Sequence, residues 1–418
     1  MMNNVETSVA NISPSHIDLP DGLTSPVHAY PTFFIHAGGA TLRNPNEQLI
    51  YRANVAIRNA LQAAHPANIS GQCLLKVHIG EPACATRMKP AYMNGSIQFL
   101  LGMGGSGVIA SDTTVAYTGD RGHKANTQDD SSTYLKLATK HGWSVDGPAK
   151  VPFVVLDRPK TSIADEFVFK DEKKLTHISG INRFSDFYLA GGFAAADFVI
   201  NHAHLTLHGL AGVAGCVKSI AMGCSSLKGK LRMHQSLVPH FNEEFCNACA
   251  TCVDNCPEGG LSLTSEHPTP TVDKELCIGC GECLAVCPNN AVTLMGEDIT
   301  DWKRGEDTLP IRMADYMMGL MNGKWDNVIH VLHIYSVTEQ CDCVDERQEP
   351  MLERDMGFLV GKNPFAIDLL AAQMLNDAMI EEGHSVCESL IKSAERTANY
   401  VNKTYGIQIE TPLERMAI

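Results

Sequence analysis

Two runs of cysteine constrain this chain more than anything else in it. "CNACATCVDNCP" spans residues 246–257 and "CIGCGECLAVCP" spans 277–288. Each reads C-x2-C-x2-C-x3-C-P. That spacing lets three thiolates cap three corners of one iron–sulfur cubane, while the fourth cysteine, next to proline, turns toward the other cluster. Cys246, Cys249, Cys252 and Cys287 are therefore expected to hold one 4Fe-4S cluster. Cys277, Cys280, Cys283 and Cys256 are expected to hold a second. The competing reading is two zinc sites. Zinc pairs show C-x2-C twice per site, without a third cysteine in register or the Cys-Pro ending.

The second run and its continuation, "CIGCGECLAVCPNNAV", resemble a bacterial-type ferredoxin nearly throughout, and the first run does so more loosely. Between residues 246 and 288 lie six acids (Asp254, Glu258, Glu266, Asp273, Glu275, Glu282) and one base, Lys274. Such a rim reads either as a docking face for a basic redox partner or as a solvated surface. The chain holds fifteen cysteines, an odd number, in 418 residues. Metal or redox use suits that better than a disulfide framework.

Outside this segment, short apolar runs alternate with helix-like stretches. The runs are at 32–39, 73–81, 107–113, 151–157, 197–204 and 327–336. Helix patterns cover 45–65, 363–383 and 385–406, the first two with proline near the start. The alternation predicts an α/β fold, a mostly parallel sheet flanked by helices, with an inserted α+β ferredoxin module. The expected organisation is an α/β domain in two parts, 1–240 and 297–418, around an insertion at 241–296, with residues 1–70 as a divergent elaboration. "GMGGSG" at 102–107 precedes a strand rather than linking strand to helix, so it reads as a turn and not a nucleotide loop.

Ligands of open α/β sheets lie beyond the carboxyl ends of the strands. His36, Lys76, His78, Glu81, Asp112, Asp157, His202, His204, His208 and His333 all fall at or near such ends. Parallel strands would bring them to one crevice. Lys76, His78, His204, His208 and Lys218 are the candidate catalytic groups, able to bind an anion and to donate protons. Cys341 and Cys343 would share one side of an extended segment. They are candidate ligands for a further metal or cluster, or act directly, with Cys224 as a third ligand.

The chain also resembles a widespread family of uncharacterised iron–sulfur-centre proteins, a domain of unknown function with a ferredoxin insertion. The resemblance covers about residues 70–385. It is carried by "KVHIGEP", by "SDTTVAYTGDR" with Asp112, Tyr117 and Arg121, by the stretch from His204 through His234, by "EQCDCVDE" and by "GKNPFAIDLLA". The family reads His-x-Lys-Gly-His where this chain has Thr206 and Leu207 inside, and Lys-Asn where it has Lys218 and Ser219. His204, His208, Lys218, Cys224, Lys230 and His234 match. The resemblance implies a fold but no settled reaction.

Net charge is −14, which argues against nucleic-acid or anionic-membrane partners. The first residues lack a basic and an apolar leader region, and no apolar stretch is long enough to span a bilayer. The expectation is a soluble cytoplasmic iron–sulfur oxidoreductase. It would take electrons from a soluble low-potential partner (a ferredoxin, flavodoxin or reductase) and pass them to a small anionic substrate or a further metal centre. A metal- or cofactor-maturation protein and a plain electron carrier are the alternatives.

Overall fold

The structure is a computed structural model. It describes residues 31–418, apart from 117–118, 124, 128, 160–166, 235–236, 257–258, 274–275, 278–281, 297–307 and 385–387. Cys280, Tyr117, Glu258, Lys274 and Glu275 lie outside the described residues.

Eight strands form the central sheet: β1 (Thr32–His36), β2 (Gln72–Lys76), β3 (Ser106–Asp112), β4 (Phe153–Val155), β7 (Phe198–His204), β14 (Val328–Ile334), β15 (Gly357–Gly361) and β16 (Leu413–Ala417). Their spatial order is β16-β1-β15-β14-β7-β2-β3-β4. β15 runs antiparallel to both of its neighbours, and every other pairing in the sheet is parallel. Strands covered on both faces need apolar side chains on both, which is why β7 and β14 are buried along their whole length. The six apolar runs of the sequence all form strands of this sheet. β15 and β16 are additions to that expectation.

One face is covered by α1 (Glu47–Ala64), α2 (Asn94–Gly102) and α3 (Ser132–Lys140) over a core of residues such as Ile57, Leu75, Ile200 and Val331. Asn46 caps α1 by accepting from the N–H of Leu49. The other face carries α4 (Gly191–Ala195), α5 (Cys216–Ala221), α6 (Leu227–Met233), α9 (Leu309–Leu320), α10 (Pro364–Glu381) and α11 (Glu388–Tyr405). Its cores include Leu74, Val199, Met317 and Leu332. Asn363 caps α10 with Pro364 in the first turn, and Gly383 just past its end adopts φ 77°, the left-handed stop a glycine supplies without strain. Hairpins β5 (Glu172–Thr176)/β6 (Asp186–Ala190) and β8 (Thr206–His208)/β9 (Gly212–Ala214) flank this layer.

The cysteine-rich segment is a small unit of its own. Its chain order is β10 (Leu237–Phe241), α7 (Thr251–Asp254), β11 (Leu261–Ser262), β12 (Thr271–Val272), α8 (Glu282–Val286) and β13 (Val292–Gly296). β10 pairs with β13 and β11 with β12, both antiparallel, so the two halves repeat one strand–helix–strand plan. Among the described residues no helix is long and apolar enough to cross a membrane.

Candidate functional site

A cavity of about 310 Å³ opens beyond the carboxyl ends of β2, β3 and β7. Lys76, His78, His204, His208 and Lys218 all line it. So do Cys341 and Cys343, together with Lys230 and His234. The crevice inferred from strand ends is therefore present, and it collects residues from five separate stretches of chain.

The wall beside β2 and β3 is a closed charge network. Lys76 Nζ donates to Asp112 Oδ1 at 3.0 Å. Arg121 donates to Asp112 Oδ2 at 3.0 Å and to Glu81 Oε1 at 2.7 Å. The Tyr134 hydroxyl accepts from Arg121 Nε and donates to Asp112 Oδ2. Burial opposes charge on Asp112, but Lys76 and Arg121 overcome it and hold the carboxyl well below the usual range. Gly223 leaves room for Lys76, since a Cβ there would lie 2.7 Å from Lys76 Nζ. His78 Nδ1 accepts from the N–H of Gly80 at 3.0 Å. Burial and the neighbouring Arg121 pull its pKa down to about 3, so the ring is neutral.

The opposite wall is different. α5 presents Lys218, whose Nζ lies 3.4 Å from Cys343 Sγ. α6 presents Lys230, whose Nζ donates to Thr113 Oγ1 and to the carbonyl of Ser225. Burial lowers both lysines to about 8, helped at Lys218 by Arg121 and opposed at Lys230 by Asp157. Among the described residues neither has a carboxylate within ion-pair distance. α5 itself is held from α10: Asp368 accepts the N–H groups of Cys216 and Val217 at 2.6 and 2.9 Å.

Cys341 and Cys343 lie in a turn well past Ile334, where β14 ends, not in an extended segment as the sequence suggested. They face the same cavity for another reason. Asp342, between them, is buried against His204, with Oδ2 2.8 Å from Nδ1. His204 Nε2 donates to the carbonyl of Tyr335 at 2.7 Å. Both ring nitrogens meet acceptors, so the ring is an imidazolium. Burial works against that charge, and Asp342 and Tyr335 outweigh it and raise the pKa. Asp342 lines the cavity along with both flanking cysteines, whose sulfurs form a disulfide. Closing three residues restrains an unfolded chain by only about 1.6 kcal/mol, so the bond is a weak staple.

A ring nitrogen of His208 and both sulfurs lie within 4.8 Å of one another, the one such group of metal-type donors among the described residues. The ring does not suit ligation. His208 Nδ1 accepts the N–H groups of Leu210 and Ala211, each at 3.1 Å. Burial, then Lys218 and His234, push its pKa well below the ordinary value, so the neutral ring carries its proton on Nε2. A ligating histidine donates its second N–H outward, and here that nitrogen is an acceptor. Cys224, expected as a third ligand, is fully buried in the core under α5 and α6 and is not in the cavity lining.

Other expected members also stand apart. His202 and His333 pair with each other at 2.9 Å inside the α1–α2 side of the sheet, with Ser96 completing the chain of contacts. Burial draws the pKa of His202 down to about 3, so it is a satisfied structural histidine. Asp157 supports the loop after β3 by accepting from Thr114. Glu81 serves Arg121, and His36 sits at the far side of the sheet beside Phe34. Asp342 is the residue sequence reasoning missed, and only its place between two cysteines marked it.

The cysteine unit holds a second, smaller cavity. Cys246, Cys249, Cys252 and Cys287 all line it, three from one run and the last from the other. Ala248 and Ala250 bend round it with φ 55° and 60°. Cys256, Cys277 and Cys283 belong to the same unit. α8 packs against α6, so the unit abuts the wall that carries Lys230 and His234.

Residues 73–373 match the model of a family described as Domain of unknown function, DUF362. The chain is a DUF362 protein. No curated protein matches it. Among solved structures this DUF362 chain is similar to the lactate racemase apoprotein from Thermoanaerobacterium thermosaccharolyticum, at 12% identity and a TM-score of 0.37. The match covers 87% of this chain and 60% of that one.

Proposed function

We propose that this DUF362 protein is an iron–sulfur reductase acting on a small anion held in the cavity beyond β2, β3 and β7. Cys246, Cys249, Cys252 and Cys287 would hold one 4Fe-4S cluster, and Cys277, Cys280, Cys283 and Cys256 the other. Four thiols from both runs around one cavity suit such a group, and the crossing of Cys287 follows the spacing rule. When bound, the clusters supply single electrons at low potential.

The chain's own side chains do the rest. Lys218 and Lys230 would bind the anion, each charged hydrogen bond contributing about 1.5–3 kcal/mol. With a pKa near 8, Lys218 can also release a proton close to neutral pH. The Lys76–Asp112–Arg121 network fixes the opposite wall so that substrate charge is met from one side. One observation carries the reading: α8 of the cysteine unit lies against α6, which lines the cavity. Packed helix axes are about 8–10 Å apart, so at this contact α6 alone stands between the unit and the cavity.

The donor would dock on the exposed side of the unit. Cys249 is exposed, and so are Phe245 and Leu276, the residues just before each run. Glu243, Glu244, Asp254 and Asp273 of the same unit are exposed as well. An apolar centre in an acidic rim suits a soluble low-potential protein with a basic face.

The test uses anaerobically purified protein reduced by a limiting one-electron donor. Small carboxylates, phosphates and sulfur oxyanions are added in turn while the paramagnetic signal of the reduced clusters is followed. One anion class should abolish the signal. A signal that survives every anion but vanishes with an oxidised electron-transfer protein would make the chain a carrier.

A further inference from the structure

We infer that the Cys341–Cys343 pair is a reversible two-electron carrier that stands between one-electron delivery and the bound anion. The inference rests on the reductase reading above and goes beyond it. Three independent placements lead to it. The pair is a disulfide across one intervening residue, inside the cavity rather than in the core or on an outer surface. His208, the adjacent candidate ligand, has one ring nitrogen accepting two backbone N–H groups and its proton on the other, the form of a donor and not of a metal ligand. The Lys218 ammonium sits 3.4 Å from Cys343 Sγ, and among the described residues no carboxylate lies within ion-pair distance of it.

The two sulfurs are not equivalent. Cys341 is 5% exposed, and Cys343 is the more open to the cavity. Cys343 is therefore the sulfur that meets substrate, and Lys218 stabilises the negative charge it bears as a thiolate. Cys341 is the partner that closes the bond again. The intervening Asp342, anchored on His204 and touched by Cys84 Sγ, keeps the turn in place through both states.

The S–S bond breaks as two electrons enter singly from a low-potential one-electron donor, and two protons come from solvent. Two thiols result. In the return step they give two electrons and two protons to an anion reducible by two electrons, and the S–S bond reforms. Clusters move electrons one at a time. A dithiol beside the substrate converts that supply into a pair and avoids a radical product.

The test uses the full chain, purified anaerobically. Reduced methyl viologen is added, the reaction is quenched with iodoacetamide, and the peptide containing both cysteines is weighed. No label before the donor and two labels after it are expected. Both cysteines labelled before any donor would overturn the inference. So would clusters that are reduced by viologen while the pair yields only to dithiothreitol. Absence of iron and sulfide from the protein would instead sink the reductase reading on which this one rests. Cys341→Ser leaves one thiol, whose alkylation is followed against pH. Adding Lys218→Met should raise the midpoint by about one pH unit, as loss of a neighbouring charge does. An unchanged midpoint would remove Lys218 from its place beside the thiolate.

Discussion

The two walls of the large cavity carry similar residues and differ in how their charges are met. On the β2–β3 side Lys76 and Arg121 are matched by Asp112 and Glu81, with Tyr134 closing the network. On the α5–α6 side Lys218 and Lys230 meet a sulfur, a hydroxyl and a carbonyl instead. A buried charge that is paired is scaffold, because removing its partner leaves an uncompensated ion. A buried cation beside neutral groups has its affinity in reserve for an anion that arrives later. The same residue types thus hold the shape on one side and wait for a ligand on the other.

The sharpest way to break this contrast is Asp112→Ala. It strands Lys76 in the interior and leaves Arg121 with Glu81 alone, and the loss should be about 3–5 kcal/mol in a denaturant titration. A near-native midpoint would mean that this wall is no more a scaffold than the other. Lys218→Ala should do the reverse. Stability should change by less than about 1 kcal/mol, while calorimetry with the anion identified in the reductase assay should show about 10–100-fold weaker binding. Equal losses of stability in the two variants would erase the distinction.

A smaller effect comes from the turn that carries the cysteines. The Asp342 carboxyl is held below the usual range by His204, so its contribution is present above the ordinary carboxylate pKa and is lost as pH falls through the lowered value. The pKa of His204 is raised, so its contribution is complete below the ordinary histidine value and is lost as pH rises through the raised one. The turn should be best protected from hydrogen exchange between these limits, and His204→Gln should flatten the profile. Protection that is the same at all pH values would show that the pair does not hold the turn.

The smallest expected effect is at Asp368. Burial raises its pKa to about 7 despite two N–H donors. A raised acid costs stability as pH climbs from the ordinary carboxylate value toward about 7. Asp368→Asn should remove that slope, and below the ordinary carboxylate value, where the acid is neutral in both states, it should change stability by about 1 kcal/mol at most, the scale of a helix cap. A slope that persists in the variant would assign it to another group.

Much of this was legible in the residues, for reasons that differ from place to place. The cysteine grouping was read from spacing alone, and Cys287 of the second run lines one cavity with Cys246, Cys249 and Cys252. Lys76, His78 and His208 could be placed at strand ends because buried parallel strands are short and apolar and their polar punctuation marks one edge of the sheet. β16 was not legible: "LERMA" is polar and largely exposed, and pairs only at the sheet edge. His202 and His333 were misplaced because nearness to a strand end does not say to which face a side chain points. The orientation of Cys341 and Cys343 came out on one side as expected but by another route. It depends on an ion pair between His204 and Asp342, 138 residues apart, which no local pattern encodes.

An iron–sulfur relay against the cavity, as proposed above, requires bound iron and sulfide. Its most direct test is the iron and acid-labile sulfide content of the full chain isolated without oxygen. Eight irons and eight sulfides are expected, two four-iron groups on the eight cysteines of the two runs. Two zinc ions with no labile sulfide would contradict it.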